Sequence, residues 1–490
     1  MIDIDLLEKR IDDFLAELEL EYYLAFSGLK DRLETAGIYE KYSDLNRKEL
    51  VEKIHDLFES SREERIRRVY SFLAFNYIYK SIAKINDELS EREVEERIHV
   101  GSEKYSLRIA LAYVRREPRR ERRSKVYREI CTVVDGFLNP LLIRRLGKIY
   151  RLVGELKFKN YIEFCEFINQ VNIEKLKEAA ERFLSSTESV YREYMDLLLK
   201  ENLGLSLDEA ERHDVIYLFS NPPEGVEPRV EMVEFLLKTL RGLGIELEKM
   251  KNILLDVEDR PNKSPRAFVA AVKIPEDVRL VVLPTGGIRD YQALFHEAGH
   301  ALHFAFTDSK LPTAFKRLGP SSITETYAFL MEYVLLQRRI AEELVGKENL
   351  EKYLLHSYTS YIHFLRRYSA KLIYELELHR IKDLEAAKNL YEKIMSKYLL
   401  YKYSPLIYLY DIDLGFYTGE YLRAWFFEAT LRKYLKERYG EWIDSKKAGD
   451  FIKSLWRTGF SKTLEKLAGE IGYKEISEKN AVELLSESLF

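Results

Sequence analysis

From the start of the chain, apolar residues fall at Leu6, Leu7, Ile11, Phe14, Leu15 and Leu18, the three-and-four spacing that lays one stripe along a helix. The same spacing returns over 47–86, 91–114, 121–152, 173–200 and 228–243 and predicts helices there, with no period regular enough for a solenoid. A breaker cluster, Asn221-Pro222-Pro223-Glu224-Gly225, closes this half. Beyond it, Ile253 to Val257, Ala267 to Ile274 and Val278 to Leu283 are short β-branched and apolar runs. They are separated by Arg260-Pro261-Asn262-Lys263 and Pro275-Glu276-Asp277, and together they predict a small antiparallel sheet. Helical spacing resumes near Tyr291 and continues almost to the end. The expected fold class is mainly α with one small sheet, divided into 1–225, a helical N-terminal lobe, and 226–490, a lobe that holds the sheet.

Composition sharpens this picture. Only 22 glycines and 12 prolines punctuate 490 residues, which favours long helices. The 78 basic and 82 acidic residues nearly cancel, leaving a net charge of -4 and no overall field to draw in nucleic acid or an anionic membrane. The densest basic run, Arg115 to Lys125, is interrupted by Glu117, Pro118 and Glu121 and reads as a solvated helix junction, not a phosphate-binding patch. No stretch of 18 apolar residues occurs, and the acidic opening Met1-Ile2-Asp3-Ile4-Asp5 lacks the apolar segment of a secretory signal. Two cysteines, Cys131 and Cys165, are too few for a disulfide framework or a thiolate metal site. The expectation is a reduced, cytoplasmic protein without nucleic-acid or membrane partners.

The chemistry is concentrated in Leu294-Phe295-His296-Glu297-Ala298-Gly299-His300-Ala301-Leu302-His303. Two histidines four apart share one face of a helix, close enough to bind a single ion, and the glutamate between them projects beside it, a pattern suited to zinc peptidase chemistry. His303 falls outside that pair and reads as packing or as support behind the ligands, not as a ligand itself. A catalytic zinc takes three protein ligands and keeps one position open. Glu325, 25 residues after His300 and beyond the turn Leu318-Gly319-Pro320, is the candidate third ligand. Ser322-Ile323-Thr324-Glu325 also spells a capping box, in which Glu325 would reach a backbone N–H and leave Glu332 to compete for the metal. Otherwise Glu332 is placed to orient a ligand.

With these residues in view, 250–430 resembles the oligopeptidases of the thimet oligopeptidase and oligoendopeptidase F type, zinc peptidases with an H-E-x-x-H motif and a downstream glutamate. Asp256, Arg260, Lys263, Ala267 and Phe268 look like that family's D-x-x-x-R-x-x-K-x-x-G-A-F/Y approach to the site, with Arg266 where the glycine usually stands. The resemblance implies one Zn2+ per chain on His296, His300 and Glu325, with Glu297 as general base. It also implies a two-lobed helical body with a deep central channel, and a strand near Ala267 and Phe268 that pairs with the substrate backbone. Downstream, Pro405-Leu406-Ile407-Tyr408 through Phe416-Tyr417-Thr418-Gly419 is similar in spacing to the family's P-H-x-Y…Y-A-T-G segment, but Leu406 replaces its histidine and Phe416 one of its tyrosines. Tyr408, Tyr410, Tyr417 and Tyr421 are the nearby phenols that could steady an oxyanion. The expected activity is hydrolysis of short peptides by a zinc metalloendopeptidase of the oligopeptidase kind. The alternatives are a metallocarboxypeptidase on the same scaffold and a helical protein that holds peptides without cutting them.

Overall fold

The computed structural model describes residues 2–100, 102–381 and 383–489, and helices form most of its regular structure. Helix α1 (Ile4–Phe26) begins where the Asp3 carboxylate accepts from the N–H of Leu6, 3.1 Å away, and buries Leu7, Ile11, Phe14 and Leu18, the stripe read from the sequence. A second long helix, α2 (Glu64–Glu95), packs beside Lys48–Ser61. The helix expected over 91–114 is interrupted. Strands β1 (Arg97–Val100) and β2 (Glu103–Ser106) form an antiparallel hairpin before the helix Leu107–Arg116. Buried Ile98 alternates there with exposed Arg97 and His99, a two-residue period lodged inside a longer three-and-four pattern. The helix expected over 121–152 is likewise divided, by one π-helical turn at Val134–Leu138 preceding Pro140, whose missing N–H cannot extend the regular ladder.

The basic run is less solvated than expected. Arg123 is 1 % exposed and donates to Asp214 at 2.6 Å, and Arg120 bonds the same carboxylate, so the run pins its helix to Arg212–Ser220. Cys131 and Cys165 are unpaired and buried. No helix among the described residues is long and apolar enough to cross a membrane.

Strands β3 (Ile253–Asp256), β4 (Phe268–Lys273) and β5 (Asp277–Val281) form the sheet, in the order β3-β5-β4. The β4–β5 pair is the expected antiparallel hairpin. Strand β3 instead joins β5 in parallel, Ile253 opposite Val278 and Asp256 opposite Val281, because 257–267 carries the chain past the middle of the sheet and leaves β4 at its edge. That connection is tied by Asp256, buried and bonded to Lys263 Nζ at 2.9 Å, to Arg260, and to the hydroxyl of Tyr23 on α1 at 3.3 Å. Burial raises the pKa of Asp256, but Lys263 and Arg260 outweigh it and hold the carboxyl below its usual value. The sequence pattern Asp256, Arg260, Lys263 is thus an ion-paired knot that fixes the entry to β4.

One hydrophobic cluster extends, among the described residues, from Leu7 to Leu485. Helix α1 lies against the second half: the Glu8 carboxylate accepts from Ala314 N–H at 3.2 Å, and Arg317 donates to Asp12 at 2.6 Å.

Candidate metal centre

Helices α3 (Ile288–Phe306) and α4 (Ser321–Glu332) cross with their backbones in contact. A Cβ at Gly299 would stand 2.4 Å from the carbonyl oxygen of Tyr327, so only glycine permits this approach. His296 and His300, one turn apart on α3, therefore face Glu325 in the second turn of α4. One donor atom from each lies within 4.8 Å of the others. Glu325 Oε2 is 3.4 Å from His296 Nε2 and 3.6 Å from His300 Nε2. Two ligands of a tetrahedral zinc ion, each ~2.0–2.1 Å from the metal, stand ~3.4 Å apart, which these separations match. Glu325 is 4 % exposed, and its Oε2 has no hydrogen-bond partner among the described residues. A buried carboxylate oxygen left facing two imidazole nitrogens is what a missing cation would satisfy.

The capping box does not form. Helix α4 follows Pro320 without a side-chain cap, and the N–H of Ser322 donates instead to Glu420 Oε2 at 3.0 Å. Each imidazole is held from behind. His296 Nδ1 lies 3.0 Å from Glu332 Oε2, the orienting contact expected of Glu332, and His300 Nδ1 lies 2.7 Å from Thr324 Oγ1. Thr324 was legible only as a member of the capping box, and its contact needs the helix crossing to exist. His303 packs, as expected: its Nε2 is 3.4 Å from Gly459 O, its ring meets Tyr327 and Phe460, and burial lowers its pKa to about 3.

Glu297 is half-buried. Burial, aided by Glu325 and Glu332 and opposed by His296 and Arg266, raises its pKa to about 7. Burial disfavours charge on both imidazoles. At His300 it prevails and lowers the pKa to about 4, whereas at His296 Glu325 and Glu332 overcome it and lift the pKa to about 10.

Of the candidate phenols, Tyr417 reaches this centre. It opens helix α6 (Tyr417–Tyr439), and its hydroxyl donates to Glu325 Oε1 at 2.8 Å. Tyr421, one turn later, stacks edge-on to Tyr417 with ring centroids 4.9 Å apart. Tyr408 and Tyr410 are not brought here, contrary to the expectation from their place in the sequence. Their hydroxyls donate to Glu385 at 3.3 Å and to Glu93 at 3.2 Å, because the irregular turns of 405–416 send their rings to other neighbours.

The placement of Tyr417 rests on residues far away in sequence. Phe416 is left-handed at φ 54°, which costs an L-residue about 1–2 kcal/mol and persists only when its surroundings impose it. The adjoining Gly415, at φ 74°, is gripped on both sides: its N–H donates to the Tyr161 hydroxyl at 2.7 Å, and its carbonyl accepts from Asn169 Nδ2 at 2.6 Å. Glu375, on the helix α5 (Leu350–Leu378), which precedes α6, accepts from Asp413 N–H at 2.8 Å and from the Thr418 hydroxyl at 2.9 Å. No local motif marks Tyr161, Asn169 or Glu375, so the sequence offered no signal for them.

Residues 245–479 match the sequence model of peptidase family M3. No curated protein matches the chain. Among solved structures, PZ peptidase A with an inhibitor is similar over 98% of this chain and 90% of that one, at 16% identity and a TM-score of 0.69. A candidate oligoendopeptidase F from Bacillus anthracis str. Ames is similar over 95% and 84% of the two chains, at 16% identity and a TM-score of 0.64. A candidate peptidase from Chlamydophila abortus is similar over 99% and 89%, at 12% identity and a TM-score of 0.69. At such identities the likeness concerns the fold, a mainly helical body shared along nearly the whole chain.

Proposed function

We propose, starting from a chain whose residues 245–479 belong to peptidase family M3 and make it a peptidase, that the protein is a zinc metalloendopeptidase acting on short peptides. The observation that carries this reading is the unpartnered, buried Glu325 Oε2 facing the Nε2 atoms of two imidazoles whose Nδ1 atoms are already engaged. His296, His300 and Glu325 would hold the ion, which when bound supplies a Lewis acid that polarises the peptide carbonyl and makes water nucleophilic near neutral pH.

The chain's own groups do the rest. Glu297 accepts a proton from the attacking water on its carboxylate and returns it to the leaving amine nitrogen; a pKa near 7 suits a group that must both take and give a proton at neutrality. The Tyr417 hydroxyl turns from Glu325 to donate to the substrate oxygen as negative charge gathers there. Strand β4, at the sheet edge, offers its backbone to an extended peptide. The division into a helical lobe, 1–225, and a catalytic lobe, 226–490, with the peptide in a channel between them, belongs to the same proposal. So does a cytoplasmic setting, which the two unpaired buried thiols support.

The test is Glu297→Gln with metal analysis and a quenched-peptide assay. The variant should keep one zinc per chain and lose turnover, while chelation of the unaltered protein should abolish cleavage and added zinc restore it. Cutting of a C-terminally amidated peptide separates internal cleavage from terminal trimming. Turnover by Glu297→Gln at the original rate would overturn the assignment.

A further inference from the structure

Arg289 precedes His296 by seven residues on α3. Seven residues fall within about 20° of two full turns, so Arg289 shares the helix face of His296 and His300 and lies ~10.5 Å further along it. Gln292, about one turn from each, lines a hollow of about 90 Å³ with Glu332, Phe364 and Trp425, so open space follows this face from the metal centre toward Arg289. Arg289 is exposed, yet desolvation by the protein around it is the first cause that lowers its pKa. A side chain reached by solvent and still surrounded by protein stands in a concavity.

A second guanidinium adjoins that concavity. Arg115, exposed near the end of the helix Leu107–Arg116, is the next cause that lowers the pKa of Arg289, as a neighbouring like charge must. One loop ties the two regions together. At its start Asn221 Nδ2 donates to Arg115 O at 2.9 Å, and near its end Val230 O accepts from the hydroxyl of Tyr291, two residues beyond Arg289. The acids close by are engaged elsewhere. Asp290, which acts on Arg289, accepts from Thr285 N–H at 2.6 Å, from the Thr285 hydroxyl at 3.0 Å and from Gly286 N–H at 2.6 Å. Glu117, two residues beyond Arg115, holds Arg119 through its N–H at 3.0 Å and its Nε at 3.1 Å. Among the described residues neither Arg115 nor Arg289 is ion-paired, so two like charges converge on open space. An anion between them would relieve that repulsion, and the planar fork of a guanidinium fits a carboxylate with two parallel bonds.

Resting on the hydrolase reading above, we propose that Arg289 and Arg115 hold a carboxylate of the bound peptide about three residues from the scissile bond, which makes acidic peptides the preferred class. The position follows from the ~10.5 Å along α3, which an extended peptide covers in about three residues at ~3.3 Å each. That carboxylate is supplied by an Asp or Glu side chain or by the C-terminus of the peptide.

The experiment walks one Glu through the positions two to four residues either side of the cut in C-terminally amidated quenched peptides, each matched to its Gln counterpart, on the zinc-loaded protein. At one position the Glu/Gln ratio in kcat/KM should be about 10 or more, the worth of one charge-assisted bond, and it should shrink as salt is raised. The ratio should fall several-fold in Arg289→Gln and in Arg115→Gln, both exposed positions where the change leaves the core intact. A Gln peptide that ends about three residues past the cut, as free acid and as amide, tests the second source. A gain from internal Glu assigns the site to a side chain, and a gain confined to the free acid assigns it to the C-terminus; each supports the proposal when the variants remove it. No gain from any carboxylate, or a gain untouched by both variants, overturns the site while leaving the hydrolase standing. Fluorescently labelled Glu and Gln peptides are also titrated against Glu297→Gln. Tighter binding of the Glu peptide there, with cleavage of neither by the unaltered protein, does the reverse.

Discussion

Removing the carboxylate of Glu332 tests whether the ring of His296 is held for metal binding from behind. Glu332 Oε2 lies 3.0 Å from His296 Nδ1 while the opposite nitrogen of the ring faces Glu325 at 3.4 Å. A carboxylate at Nδ1 keeps the proton on that nitrogen and the lone pair on Nε2, and it makes the ring a stronger donor. Partners of this kind are worth about 10- to 100-fold in metal affinity, or about 1.4–2.7 kcal/mol. Glu332→Ala should therefore weaken zinc binding by that factor, and Glu332→Gln, which retains an acceptor oxygen without the charge, by less. Thr324→Val removes the corresponding contact at His300, a neutral partner at 2.7 Å. Charge-assisted bonds are about twice as strong as neutral ones, so its loss should be the smaller. The assay is competition for zinc against a chromophoric chelator at fixed pH. Zinc affinity in Glu332→Ala within two-fold of the unaltered protein would refute the orienting role, and a larger loss from Thr324→Val would refute the ranking by charge.

Tyr417→Phe should lower kcat by about 10²–10³ with zinc affinity little changed, and steady-state kinetics beside the chelator assay would detect a failure of either half. Gly299→Ala should lower the melting temperature by an amount equivalent to about 1–3 kcal/mol and weaken zinc binding with it, since the added carbon meets Tyr327 O at 2.4 Å; an unaltered melt would contradict the contact. Glu375 is fully buried, and burial, with Asp413 adding and Lys371 opposing, pushes its carboxyl up to about 8. The folded protein thus binds that proton more tightly than the unfolded chain, so its stabilising contribution is complete below about pH 4.5 and is lost as pH rises through about 8. Glu375→Gln should gain in melting temperature relative to the unaltered protein between pH 5 and 9, by on the order of a few degrees; a gap that does not change with pH would sink the argument.

What could be read in advance was what depends on near neighbours in sequence. The helical stripe of α1, the three strands and the pairing of His296 with His300 follow from local period, and Glu325 was within reach because a turn and one helix separate it from the pair. The parallel entry of β3 was not legible, since alternation in a strand reports its faces and not its neighbour. The choice among Tyr408, Tyr410 and Tyr417 was hidden for a related reason. Nothing within a few residues of them differs enough to decide it. The decision is made by one left-handed residue, Phe416, and by Tyr161 and Asn169, which grip Gly415 from more than two hundred residues away.

Because two helix backbones touch at Gly299, the spacing between the imidazoles and the opposing carboxylate is set by polypeptide and not by whatever ion lies among them. On the metal-centre proposal, such a receptacle should keep its shape when the ion is removed and reloaded. An organism short of one divalent metal could then furnish another of similar radius to protein already made, instead of waiting on new synthesis.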